Sequence, residues 1–196
     1  MTATKITPGL ITSVAGVSGL PTSAWVKVGS TTADNSATIL VTGLSSAYGN
    51  YFIALSDVMP GSDTDVIFQV GDSSGIDSGG TDYNSATTIR NQSTGEWNES
   101  NGNTSTISLN GSNTPNYGQA VTGHIWLHQP GNSAQTHAFI WDITYSNSNS
   151  VGNVSTEHVS GHGKRMHVIN LDRIQIKLSS GNIASGTVTV WGLSSA

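Results

Sequence analysis

The segment Arg173-Ile174-Gln175-Ile176-Lys177-Leu178 alternates polar and apolar residues without a break. Successive side chains of a β-strand point to opposite sides, so this segment presents one apolar and one polar face. The same period of two recurs where Val188 and Val190 alternate with Thr187, Thr189 and Trp191, and Ser179-Ser180-Gly181-Asn182 starts a turn between the two runs. Short runs of this kind, bounded by turn clusters, recur from Ala24 onward. Strands are predicted near 24–29, 37–42, 50–57, 64–71, 104–110, 119–129, 136–145, 152–160, 165–168, 171–179 and 186–192. No stretch keeps a helical period for longer than one turn. Ten or so short antiparallel strands with long end loops are best accommodated by an all-β fold, a jelly-roll-like antiparallel β-sandwich.

Charged residues make up 10% of the chain, against about 25% in ordinary soluble domains. The formal net charge is −5 and no basic stripe is present, which excludes a nucleic-acid partner. Polarity comes instead from Ser, Thr, Asn and 23 Gly, residues that favour turns and hydroxyl- or amide-decorated strands over helix interiors. The chain has no cysteine, so stability must come from packing and from subunit contacts rather than disulfides or thiolate metal sites. No apolar run approaches the ~20 residues that span a bilayer, so no membrane partner is expected. Met1 to Leu20 has one lysine and no continuous apolar core, so a signal peptide is not expected and synthesis in the cytoplasm is.

The 196 residues divide into an extended N-terminal arm over 1–22 and a β-sandwich domain over 23–196. The arm is punctuated by Gly and Pro and has neither a helical nor a strict strand period. It reads either as a frayed terminus or as an anchor, with Lys5, Ile6, Leu10, Ile11, Val14 and Leu20 docking on another subunit or a virion partner. The stretch 72–118 reads as long polar loops with one or two weak strands. Long loops on a rigid sheet frame commonly carry binding function. Tyr83, Trp97 and Tyr117 lie in or beside these loops and are the candidates for stacking on a host glycan; anchoring the loops is their alternative role.

One hairpin carries the sequence argument for an oligomer. Gln119–Gln129 and Thr136–Tyr145 flank Pro130-Gly131-Asn132-Ser133. A turn that pairs His128 with His137 puts Trp126 opposite Phe139 and His124 opposite Trp141. One face then carries His124, Trp126, His128, His137, Phe139 and Trp141, and the other carries Ile125, Leu127, Ala138 and Ile140. Two apolar faces must both be covered, and a two-sheet sandwich covers one, so the aromatic face becomes the oligomer-interface candidate.

Chemistry-bearing motifs are absent. The histidines follow no metal-ligand spacing, and His158, His162 and His167 fall around the Gly-rich run Gly161-His162-Gly163-Lys164-Arg165, which reads as a solvated loop. Asp63, Asp65, Asp72 and Asp77 do not meet the calcium-loop spacing and read as turn residues. No nucleophile elbow, cysteine or selected carboxylate pair exists. No catalytic residue, metal or cofactor is assigned, and the chain is not expected to be an enzyme.

The C-terminal residues Leu171-Asp172-Arg173-Ile174-Gln175-Ile176, followed by Ser179-Ser180-Gly181-Asn182-Ile183-Ala184-Ser185-Gly186-Thr187-Val188-Thr189-Val190-Trp191-Gly192-Leu193, resemble the ending of many tailed-phage structural proteins. There an I-x-x-I strand precedes S-S-G-N-φ-A-S-G-T-φ-x-φ-(aromatic)-G-φ, with φ apolar. Tyr51 to Asp63 is similar to their Y-x-φ-x-φ-x-x-φ-x-P-x-x-D strand and turn, and the hairpin Gly123 to Tyr145 matches in position and character. The resemblance runs loosely from residue 24 to the end. It departs at Ile125-Trp126-Leu127-His128-Gln129-Pro130, where the family often has a pattern such as Y-I-F-N-P. The resemblance implies a jelly-roll-like sandwich, commonly a homotrimer, found on tail fibres, tail appendages and head decoration proteins, and it implies no catalytic residue. The expected function is a trimeric head decoration (cement) protein on the virion, with the major capsid protein as partner. The alternative is a tail fibre or nozzle appendage, held by a tail protein and binding a host surface glycan. The lack of a long repetitive shaft favours the first.

Overall fold

The computed structural model describes residues 25–112, 114–116, 118–128, 130, 134–148 and 154–193, with the side chains of 148 and 154 excepted. The arm expected over 1–22, with Lys5, Ile6, Leu10, Ile11, Val14 and Leu20, lies outside the described residues, as does Tyr117. The described residues contain no helix, and the strands form two antiparallel sheets, as the alternation predicts.

The larger sheet has eight strands in the order β1-β13-β3-β9-β10-β11-β6-β7. These are β1 (Trp25–Ser36), β3 (Asn50–Pro60), β6 (Tyr83–Asn91), β7 (Gly95–Thr104), β9 (Val121–His128), β10 (Ala138–Ser148), β11 (Val154–Arg165) and β13 (Ile183–Leu193). The smaller sheet runs β2-β12-β4-β5, with β8 also paired to β4. Its strands are β2 (Thr38–Thr42), β4 (Val66–Asp72), β5 (Gly75–Ile76), β8 (Ile107–Ser108) and β12 (Arg173–Leu178). The chain turns one corner between β1 and β2 and another between β12 and β13. The first and last strands therefore pair in the large sheet while β2 and β12 pair in the small one.

The core lies between the sheets. Tyr51, Ile53 and Leu55 of β3, Ile125 and Leu127 of β9, and Phe139, Trp141 and Ile143 of β10 face Ile39, Val41, Phe68, Val70, Ile174 and Ile176 of the small sheet, and all are buried. Phe68 meets Phe139 edge-on across the gap, with ring centroids 5.1 Å apart. The polar ends of the large rings find partners, as buried donors must. Trp141 Nε1 donates to the Leu109 carbonyl at 2.9 Å, and the Tyr83 hydroxyl donates toward the Val70 and Asp77 carbonyls at 3.1 and 3.0 Å.

Three expectations need correction. The hairpin register is displaced by one residue: His128 pairs with Ala138, Leu127 with Phe139, Trp126 with Ile140, Ile125 with Trp141 and His124 with Asp142. A one-residue slip exchanges the two faces of a strand. Ile125 and Leu127 therefore share the inner face with Phe139, Trp141, Ile143 and Tyr145, while His124, Trp126 and His128 look outward with Ala138, Ile140 and Asp142. The cause is burial, since this register gathers Ile125, Leu127, Phe139, Trp141, Ile143 and Tyr145 into one core instead of dividing them between two faces. His137 leaves the ladder altogether: its ring Nε2 lies 2.9 Å from the Ile169 carbonyl, and its own carbonyl accepts the Arg165 N–H at 3.0 Å.

The second correction concerns 72–118, which holds a long β6–β7 hairpin on the edge of the large sheet rather than mainly loops. The third concerns Gly161 to Arg165, which is the end of β11 and not a solvated loop. Gly161 sits where β11 crosses the core tryptophan, and a β-carbon there would lie 2.2 Å from the Trp141 ring. Gly123 has a φ of +154°, and a β-carbon there would lie 2.2 Å from the Asp142 carbonyl oxygen. Both glycines are thus required by close approach.

Candidate functional site

Of the interface candidates, His137, Phe139 and Trp141 belong to the core, with Trp141 only 1% exposed. His124, Trp126 and His128 remain at the surface, half-buried on the outer face of the large sheet. Among the glycan candidates, Tyr83 is fully buried, so its ring is closed to a ligand; burial also raises its hydroxyl pKa well above the ordinary 10.0. Trp97 lies on the inner side of edge strand β7, half-buried against the core, with its Nε1 3.4 Å from Glu99 Oε1. The structure thus does not bring Tyr83 and Trp97 together on a surface.

The residues that do meet come from strands far apart in sequence. On the outer face a single transverse row crosses all eight strands: Lys27, Trp191, Phe52, Trp126, Ile140, His162, Ala86 and Ser100. Side chains directly opposite on neighbouring strands are within contact distance, so a row of this kind forms a continuous surface. At its β1 end Trp25 joins Phe52, Trp126 and Trp191 in an almost wholly apolar cup of about 300 Å³. Phe52 is the hub. Its ring lies 5.9 Å from Trp25, 5.2 Å from Trp126 and 6.1 Å from Trp191, in edge-on or tilted contact, and 5.2 Å from the stacked ring of His124. Trp25 is 42% exposed and Ile140 51%.

Beside the cup the outer face is decorated with hydroxyls. Ser30 and Thr189 are hydrogen-bonded at 2.8 Å, and Thr32 and Thr187 at 2.9 Å. Toward β6 and β7 the face becomes a shallow trough of about 980 Å³, bounded by Trp126 and Ile140 on one side and by His124 and Asp142 on the other. Asp142 accepts from His158 Nε2 at 2.9 Å, and Arg90, 3.4 Å from His158 Nδ1, is paired with Glu96 at 2.6 Å. These pairs are half-exposed and contribute little to stability; they fix the orientation of the Asp142 carboxylate at the trough.

Asp72 and Asp82 act as turn caps, whereas Asp77 pairs with Arg165 at 2.5 Å and Asp65 accepts from Asn110 and Thr114 at 3.0 and 3.3 Å. Asp72 accepts the N–H and hydroxyl of Ser74, which hold its carboxyl below the usual carboxylate range. Asp82 accepts the Gly79 N–H at 2.5 Å. Among the described residues no three His, Asp or Glu side chains converge as a metal-binding set. Among the described residues no nucleophile is hydrogen-bonded to the His158–Asp142 pair; His158 Nδ1 lies 3.4 Å from Arg90 Nη1 instead.

Comparison with protein-family models, with curated proteins and with solved structures finds no match to this chain.

Proposed function

We propose that the chain is a non-enzymatic structural protein of a tailed-phage virion that works as a homo-oligomer assembled through the outer face of its large sheet. The observation that supports assembly is the cup of Trp25, Phe52, Trp126 and Trp191 at the β1 end of the outer face, beside a row of hydroxyls. An apolar aromatic cluster flanked by polar side chains is the anatomy of a protein–protein interface. A second copy of the same chain fits it for an electrostatic reason. When identical surfaces meet, like charges tend to fall opposite each other. Here Ser30, Thr32, Thr187 and Thr189 beside the cup carry no charge, and Lys27, opposite Trp191, brings a positive charge to that edge.

The virion assignment rests on the likeness of residues 171–193 and 51–63 to tailed-phage structural proteins. Within that assignment we favour a trimeric head decoration protein that clamps capsid subunits by buried area, over a tail appendage. Cryo-electron microscopy of virions tests the placement. Density for this sandwich in many copies over the capsid shell is the expected result. Density confined to the tail would replace the decoration role with that of an adsorption component, and absence from the particle would overturn the virion reading.

A further inference from the structure

The chain holds two Asn-Gly dipeptides, Asn101-Gly102 and Asn110-Gly111. An asparagine before glycine is open to attack on its own side chain by the backbone. The glycine nitrogen has no β-carbon beside it to crowd the approach to the asparagine amide carbon. The two pairs lie in opposite surroundings.

Asn101 and Gly102 are both exposed on β7, the last strand of the large sheet. Asn101 pairs with Ser85, and the next pair in register is Thr104 with Tyr83, so Gly102 and Asn103 together face the single residue Asn84. This is a β-bulge, and it interrupts the ladder at the peptide that follows Asn101. Asn103 is left-handed there, at a φ of +55°, and its N–H donates to the Asn84 side-chain oxygen at 2.7 Å instead of to a strand carbonyl. Strand β7 also has a neighbour in the sheet on one side only. Opening the bulge therefore breaks few hydrogen bonds.

Asn110 is fully buried. Its Oδ1 accepts the Val66 N–H at 2.8 Å, and its Nδ2 donates to Asp65 Oδ1 at 3.0 Å and to the Gly111 carbonyl at 3.2 Å. These bonds fix the amide and keep its carbon from turning toward the Gly111 nitrogen while the fold is intact.

We infer that Asn101 is a modification site that converts, without an enzyme, to aspartate and isoaspartate in the folded protein. The Gly102 nitrogen gives up its proton and bonds to the Asn101 amide carbon, and the side-chain nitrogen leaves as ammonia. Water then opens the five-membered imide. Attack at the former side-chain carbon leaves aspartate in a normal backbone; attack at the main-chain carbon routes the backbone through the side chain and leaves isoaspartate. Either product adds one negative charge to the formal −5 of the chain. Isoaspartate also inserts a methylene into β7 and displaces its pairing with β6 beyond that point. Strand β7 lies at the opposite edge of the sheet from β1, where Trp25 enters the cup, so Asn101 stays open to water whether or not copies join through the cup.

The test incubates the folded full chain at mildly acidic and mildly alkaline pH, beside the same chain unfolded in urea. Peptide mass mapping and isoaspartyl methyltransferase labelling follow both sites. In the folded chain the Asn101 peptide should gain about 1 Da, faster at alkaline pH because the attacking nitrogen must lose its proton. Its rate should lie within about tenfold of the rate in urea, as expected for a segment that opens locally. Asn110 should convert about a hundredfold or more slowly than in urea, since it reacts only through global unfolding. Gly102→Ala, whose β-carbon would meet only Asn84 Oδ1 at 3.5 Å, should keep the fold and slow the conversion several-fold. Circular dichroism confirms that the variant is folded. An Asn101 peptide that keeps its mass in the folded chain while converting in urea would overturn the inference, as would equal rates at Asn101 and Asn110 in the folded chain.

Discussion

Two tryptophans on neighbouring strands have opposite environments. Trp141 is buried between the sheets with its Nε1 bonded to the Leu109 carbonyl, while Trp126 lies half-exposed on the outer face. Trp141→Ala should cost about 3–5 kcal/mol, from lost transfer energy and the cavity left behind. Trp126→Ala should cost under about 1 kcal/mol in the dissociated chain, as an outer-face change away from the core. Urea unfolding at low protein concentration distinguishes them, and equal losses would contradict the register. The tyrosines report on burial in a second way. Desolvation raises the hydroxyl pKa of Tyr83 and Tyr145 above the ordinary 10.0, and the nearby Asp77 and Glu157 carboxylates push in the same direction. Their contribution is fully present below pH 10 and declines above it, because the unfolded chain releases those protons while the folded chain holds them. Stability should therefore be insensitive to tyrosine ionisation at neutral pH and fall above about pH 10. Absorbance at alkaline pH should show these two rings ionising only as the protein unfolds. Ionisation of all five tyrosines near pH 10 in a protein that keeps its fold would contradict their burial.

At the scale of the element, β11 depends on Gly161 to pass the Trp141 ring, where an added β-carbon has 2.2 Å. Gly161→Val should destabilise by about 1–3 kcal/mol through overpacking, read as a lower urea midpoint with an unchanged slope. A midpoint equal to wild type would mean that the two elements pack further apart. Strands β12 and β13 were legible in the sequence because each has one core side, with an unbroken period of two over 173–178 and 187–193. Strand β7 was not, since an edge strand with the sequence Asn98-Glu99-Ser100-Asn101-Gly102-Asn103 has few apolar residues to mark its core side. The β9–β10 hairpin lay between these cases. Its strands were legible, but its register followed from an assumed turn. The polar Asp142 and Thr144, alternating with Trp141, Ile143 and Tyr145, already indicate which side of β10 is buried. Matching that side to Ile125 and Leu127 requires the register observed.

For the whole molecule, the sandwich was legible because alternation and turn clusters recur along the chain. The outer-face surface was not, since Trp25, Phe52, Trp126 and Trp191 come from four strands and meet only through the order β1-β13-β3-β9. In this assembly the cup joins copies of the chain. Burial of its rings against a second copy would place them at the water-excluded centre of the contact, where truncation costs most. Sedimentation equilibrium of the full chain beside Trp25→Ala and Trp191→Ala tests this most directly. The wild type should sediment as an oligomer, a trimer for a head decoration protein, and both variants should shift toward monomer at the same concentration. A wild-type chain that stays monomeric across the concentration range, or variants that assemble as the wild type does, would contradict it.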